Sequence, residues 1–189
     1  TLGVLAPNTT EVDSLAAALP KLGLISIAFP AFADGRGFSL ARGSDIYAQP
    51  QAGFFLALAR AHGRPQDIAF FTLYDQTWGA DGVPVYLMLR PQPSPCVRFG
   101  EQRIQPLYRG WHGYRKAHPA AYRAAATQQL KDLEEAVALG TCACKDIESV
   151  LAEQRGFLKA FPATPVAGQI RARMRQLKTD PEALPVNCR

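Results

Sequence analysis

Long hydrophobic runs are missing from this sequence. Asp, Arg, Gln or Pro interrupts every apolar stretch well short of the ~20 residues that a membrane-spanning helix requires, so no such span is expected. Histidine is scarce: His62, His112 and His118 stand at no recognisable spacing from a Ser or Cys partner, which argues against a hydrolytic triad. None lies at ligand spacing from a cysteine pair, so no metal site is expected. There is no Walker loop and no dinucleotide fingerprint, and no cofactor is implied. With no complete catalytic constellation, a non-catalytic role is favoured.

What is present is an ordinary globular composition: 189 residues, 48% hydrophobic and 20% charged. A chain of this size can bury a real core without metals or dense crosslinks. The net charge of +5 is unevenly placed. Up to Val97 there are six basic against seven acidic residues; from Arg98 onward there are 15 against nine. The excess would attract an anionic partner if its charges share a face. A nucleic-acid partner is disfavoured, and another protein is the expected one.

The four cysteines, Cys96, Cys142, Cys144 and Cys188, all fall in the second half, at expected loops or element ends. Cysteines placed there act as staples, which persist in an oxidising compartment. The chain opens on Thr1, as a processed secretory protein does, and a periplasmic or secreted location is the expectation.

Along the chain, the first half predicts mixed α and β structure. Leu2 to Leu5, a helix with Val12, Leu15, Ala16 and Leu19 inward, and a strand over Leu24 to Phe29 suggest a small parallel unit. Gln51 to His62 predicts a helix stopped by Gly63. Ile68 to Tyr74 and Val83 to Leu89 predict a hairpin around Gly79-Ala80-Asp81-Gly82, with the second arm an interior strand. Pro91, Pro93 and Pro95 mark a linker, and Cys96 to Phe99 with Ile104 to Tyr108 predicts a further short hairpin.

The remainder predicts three amphipathic helices. Tyr122, Ala126, Leu130, Leu133 and Val137 form one stripe, and Ile147, Val150, Leu151, Leu158 and Phe161 a second. The third helix is expected to start with Thr164 as cap and Pro165 at its first position. The fold class is therefore α+β: a small mixed sheet with helices over residues 1–110, and a disulfide-tied antiparallel helical region over 111–189 packed with it as one unit.

Three segments carry candidate chemistry. In Thr141-Cys142-Ala143-Cys144-Lys145, a helix start and Lys145 would favour a thiolate at Cys144, so a reactive pair is conceivable. One intervening residue makes direct pairing of the two strained, so each is expected to bond one of Cys96 and Cys188. In Tyr108 to His118, aromatic and basic residues interleave, and Trp111, His112, Tyr114 and Arg115 are candidates to bind an anionic or aromatic ligand. The competing reading is that the aromatics lock the core while the cations stay in water.

The third is the loop Pro30 to Phe38, whose two glycines present Arg36 at the end of an expected strand. Leu24 to Arg42, with Phe29-Pro30, Phe32, Asp34-Gly35-Arg36-Gly37-Phe38-Ser39 and Ala41-Arg42, resembles a small bacterial family of oxidoreductases linked to sulfite reduction. The resemblance ends at Gly43-Ser44-Asp45-Ile46-Tyr47. It implies ligand-facing roles for Asp34 and Arg36 and a cytoplasmic setting, against the cysteine argument. Phe157 to Pro165 resembles the helix junction of tetratricopeptide-like repeats in bacterial envelope proteins, in a single copy. The expected function is an exported binding or assembly component of a cell envelope or secreted complex. The alternative is a thiol or sulfur-related oxidoreductase using Cys142 and Cys144 or the Asp34–Arg36 loop.

Overall fold

The computed structural model describes residues 4–6, 38–42, 46–50, 53–79, 82–88, 95–140 and 142–180, with backbone alone over 4–50. The chain divides into two compact units, Thr1–Arg64 with Ala80–Gly82 and Pro65–Gly79 with Val83–Arg189. Helix dominates, with two small sheets, so the class is α+β.

In the first unit, β1 (Val4–Ala6), β2 (Phe38–Arg42) and β3 (Ile46–Pro50) form one sheet in the order β1-β3-β2. β2 and β3 pair antiparallel from Phe38 opposite Pro50 to Arg42 opposite Ile46, and β1 pairs antiparallel with β3. Of the expected parallel unit, only the first strand falls among the described residues, as β1; the helix and second strand at residues 12–29 lie outside them. A connection of only three residues between β2 and β3 permits antiparallel pairing and rules out a parallel crossover. α1 (Phe54–His62) follows as its spacing predicts. Gly63 ends it: its N–H bonds the Ala59 carbonyl at 2.8 Å, and a side-chain carbon there would meet that oxygen at 2.6 Å.

The second unit opens with α2 (Pro65–Thr77), where a strand over Ile68 to Tyr74 is expected. A seven-residue apolar run does not distinguish strand from helix by itself. Here tertiary packing decides, because Phe70, Tyr74 and Thr77 recur at helical spacing and Phe70 meets Trp111 edge-on at 5.3 Å. The β-branched Thr72 and Thr77 fit the helix by donating their hydroxyls to the carbonyls of Ile68 and Leu73, four residues back. The expected turn does reverse the chain, with Trp78 bridging Pro84. Among the described residues of the second arm, β4 (Leu87–Met88) alone is strand, and Met88 is 40% exposed, unlike a residue of an interior strand.

β4 pairs antiparallel with β5 (Cys96–Val97). The expected hairpin partner Ile104 to Tyr108 is instead the first turn of α3 (Ile104–Ala117). Gly100 at φ 79° and Gln102 at φ 55° turn the chain before it. Ile104, Leu107, Tyr108, Trp111 and Tyr114 then fall on one buried face, a 3.6-residue period that a five-residue window conceals. Residues 110 and 111, where the sequence suggested a division, are consecutive within this helix.

α4 (Arg123–Leu139), α5 (Ile147–Ala160) and α6 (Ala167–Thr179) complete the unit. Of the expected α4 stripe, Ala126, Leu130, Leu133 and Val137 are buried as predicted, whereas Tyr122 stands before the helix and is 39% exposed. α5 begins at Asp146, whose carboxylate accepts the Ser149 backbone N–H at 2.8 Å. Thr164 does not cap α6, which starts two residues beyond the expected position, after Val166. Its buried hydroxyl lies 3.3 Å from the Tyr108 hydroxyl, and that tertiary contact displaces the local capping role.

Candidate functional site

The aromatic-basic stretch lies on α3, and the helix sorts it. Trp111 and Tyr114 are buried, Arg115 is half-buried, and His112 is exposed. The Trp111 indole donates to the Thr77 hydroxyl at 2.9 Å, and Tyr114 donates to the Gln66 carbonyl. Both rings thus lie in the core with their polar atoms satisfied, the arrangement that the competing reading describes. Burial pushes the Tyr114 phenol up to about 12, which keeps it a neutral donor.

At the Tyr108 edge of its buried face, α3 borders a shallow pocket of about 250 Å³ whose lining includes Tyr108, His112, Phe161, Pro162, Thr164 and Pro165. The Tyr108 hydroxyl donates to Glu134 at 2.6 Å. Burial, then that carboxylate, pushes the phenol up to about 12. The Arg109 guanidinium stands 5.7 Å over the Phe161 ring. Of the sequence candidates, His112 alone faces this pocket. Asp34 and Arg36 lie outside the described residues.

Around the cysteines the geometry is architectural. Cys96 and Cys144 form a disulfide across 48 residues, one of the pairings expected. Val97 N–H bonds the Cys142 carbonyl at 2.7 Å and Cys144 N–H bonds the Val97 carbonyl at 2.9 Å, so residues 142–144 run alongside β5. Cys142 is disulfide-bonded as well, and no described cysteine is free; Cys188 lies outside the described residues. A cystine sulfur is neither a nucleophile nor a metal ligand until reduced.

A surface that the sequence did not single out lies on α5 and α6, which pack together. Leu158 and Met174 are half-buried in a groove of about 250 Å³ whose other walls are Arg171, Arg175 and Lys178. These cations recur at steps of four and three, and so share one exposed face of α6. None has a carboxylate within ion-pair distance among the described residues. By contrast, Arg155 pairs with Glu148, and Arg98 and Arg103 share Glu101. The signal in the sequence was the run Arg171-Ala172-Arg173-Met174-Arg175, which concentrates part of the basic excess in two turns. The apolar partner Leu158 comes from another helix and leaves no local trace.

A family model of bacterial proteins of unknown function, DUF934, matches residues 3–45. That span contains Asp34, Arg36 and the stretch whose resemblance is noted above, and stops short of every feature of the second unit. No curated protein and no solved structure matches the chain. Among the described residues, no helix is long and apolar enough to cross a membrane, and no three His, Cys, Asp or Glu gather as a metal site would require.

Proposed function

We propose that the chain is an exported, non-catalytic binding or assembly component whose partner is another protein. The observation that supports this best is the state of the cysteines. The Cys-Ala-Cys segment is engaged in cystines, Cys96–Cys144 among them, so its chemistry serves to hold the helical unit together. Such bonds endure in an oxidising compartment and are rare where glutathione keeps thiols reduced. Burial raises the phenols of Tyr74, Tyr86, Tyr108, Tyr114 and Tyr122, and Tyr108, Tyr114 and Tyr122 donate to partners within the fold, whereas the exposed cations of α6 face solvent beside an apolar groove.

Thiol titration of the denatured, unreduced protein tests this reading. The expected result is no reactive thiol in protein purified from the native envelope or secreted fraction. Two thiols assigned to Cys142 and Cys144 would overturn it.

A second reading, a sulfur-related oxidoreductase, draws on the family match over residues 3–45 and on Asp34 and Arg36 within it. Sulfite-dependent oxidation of a reduced dye, abolished by Asp34→Asn and Arg36→Ala, would favour it over the first.

A further inference from the structure

We propose that the groove between α5 and α6 receives an acidic amphipathic helix from a partner protein. This rests on the binding role proposed above and names the partner's chemistry. The groove has an apolar floor, Leu158 and Met174, and a cationic wall, Arg171, Arg175 and Lys178. A volume of about 250 Å³ suits one or two aliphatic side chains, and methionine adapts its shape to such guests. From Arg171 to Lys178 the three cations span seven residue steps of α6, about 10 Å at 1.5 Å per residue. A helix laid along the groove presents carboxylates at the same four-and-three spacing, with apolar anchors one turn apart between them.

Other anionic partners fit less well. Single-stranded nucleic acid is held by aromatic platforms as well as cations, and this groove offers no aromatic ring. An anionic membrane requires an apolar helix face to insert. On α6, Ile170 and Leu177 are already buried in the core, and the exposed residues are Gly168, Gln169, Arg171, Ala172, Arg175, Gln176, Lys178 and Thr179. The neighbouring carboxylates do not neutralise the wall: on α5, Glu148 pairs with Arg155 and Glu153 is buried against the Gly100 backbone.

The test uses the full chain with its disulfides intact and a fluorescein-labelled peptide of about 15 residues, long enough to form helix. It carries Glu and Ala throughout, with two leucines one turn apart. A scrambled peptide of the same composition, a single-stranded oligonucleotide and vesicles containing phosphatidylglycerol serve as competitors. The patterned peptide is expected to bind, to lose affinity several-fold between low and high salt, and to outbind the scramble. Arg171→Glu, Arg175→Glu and Lys178→Glu together should weaken it about tenfold or more with the melting temperature unchanged, while Arg171→Lys with Arg175→Lys retains binding.

Equal binding of patterned and scrambled peptides, full displacement by the oligonucleotide or vesicles in preference to the peptide, or an unaffected reversal variant would each overturn the proposal. So would a monomer-dimer shift in the reversal variant without a change in peptide affinity, which would give the groove to a second copy of the chain. Thiol titration on the same preparation separates the two levels. A fully cystine-bonded protein that ignores the peptide refutes the groove alone, whereas free thiols at Cys142 and Cys144 refute the wider reading, and peptide binding still decides the groove.

Discussion

Helices α3 and α6 are both basic, with Arg109, Arg115 and Lys116 on one and Arg171, Arg173, Arg175 and Lys178 on the other, but the surfaces beside those cations differ. On α3 the adjoining aromatics turn inward: Trp111, Tyr114 and Tyr108 fill the core, and Arg109 covers the Phe161 ring. On α6 the cations flank an open apolar groove. Basic residues interleaved with aromatics looked like the stronger binding signal in the sequence, yet the better-placed surface has no aromatic at all. A helix that gives its large side chains to the core has only its solvated tips left for a partner.

The sharpest way to break this contrast is to truncate one side chain from each helix. Trp111→Ala removes a fully buried ring and its indole's hydrogen bond to the Thr77 hydroxyl at 2.9 Å, while that hydroxyl keeps its own bond to the Leu73 carbonyl. The expected loss is about 3–5 kcal/mol by denaturant unfolding. Reversing Arg171, Arg175 and Lys178 should change stability by about 0.5 kcal/mol or less at each site, the range for exposed positions. If the α6 reversal cost as much as Trp111→Ala, those cations would be structural and the contrast would fail.

Next in size is the cystine. Cys96→Ser with Cys144→Ser opens a bond that links β5 to the segment leading into α5 across 48 residues. Loop closure of that length corresponds to at most about 4 kcal/mol, with about 2–4 typical of native bonds. Because Val97 remains bonded to both Cys142 and Cys144 through its backbone, the variant is expected to keep its helical circular dichroism while its unfolding midpoint falls. An unchanged midpoint would mean that this bond does not hold the unit together and would remove the main support for the exported, structural reading.

Much of the helical framework was legible because its periodicity is long. The α4 stripe from Ala126 to Val137 runs over three turns, and Gly63 and Gly140 stand at the ends of their helices. What was not legible came from windows too short to show a period, or from partners far away in sequence. Ile68 to Tyr74 has enough aromatic and β-branched residues for a strand, and only contact with Trp111 and Tyr114 selects the helix. Thr164 has the chemistry of a cap, but Tyr108, 56 residues earlier, claims its hydroxyl. The groove was half legible: the cations are neighbours on α6, whereas Leu158 joins them only by packing.

The smallest effect concerns how α3 is entered. Glu153 on α5 is 3% exposed and accepts the Gly100 backbone N–H at 3.0 Å, holding the turn that leads into α3. Burial raises its carboxyl above the ordinary range, opposed by the N–H groups of Gly100 and Gln102. A carboxyl whose folded pKa lies above its unfolded one contributes fully below the unfolded value, and that contribution is lost as pH rises through the folded value. Near neutral pH the fold therefore carries a desolvated charge. Glu153→Gln keeps an acceptor for Gly100 and removes that charge. Its melting temperature relative to the parent should rise as pH is raised from the ordinary carboxylate range toward neutrality. The other carboxylates titrate alike in both proteins and cancel in the difference. A flat difference across that window would show that Glu153 keeps an ordinary pKa, so that its hydrogen bonds and not its burial govern the entry to α3.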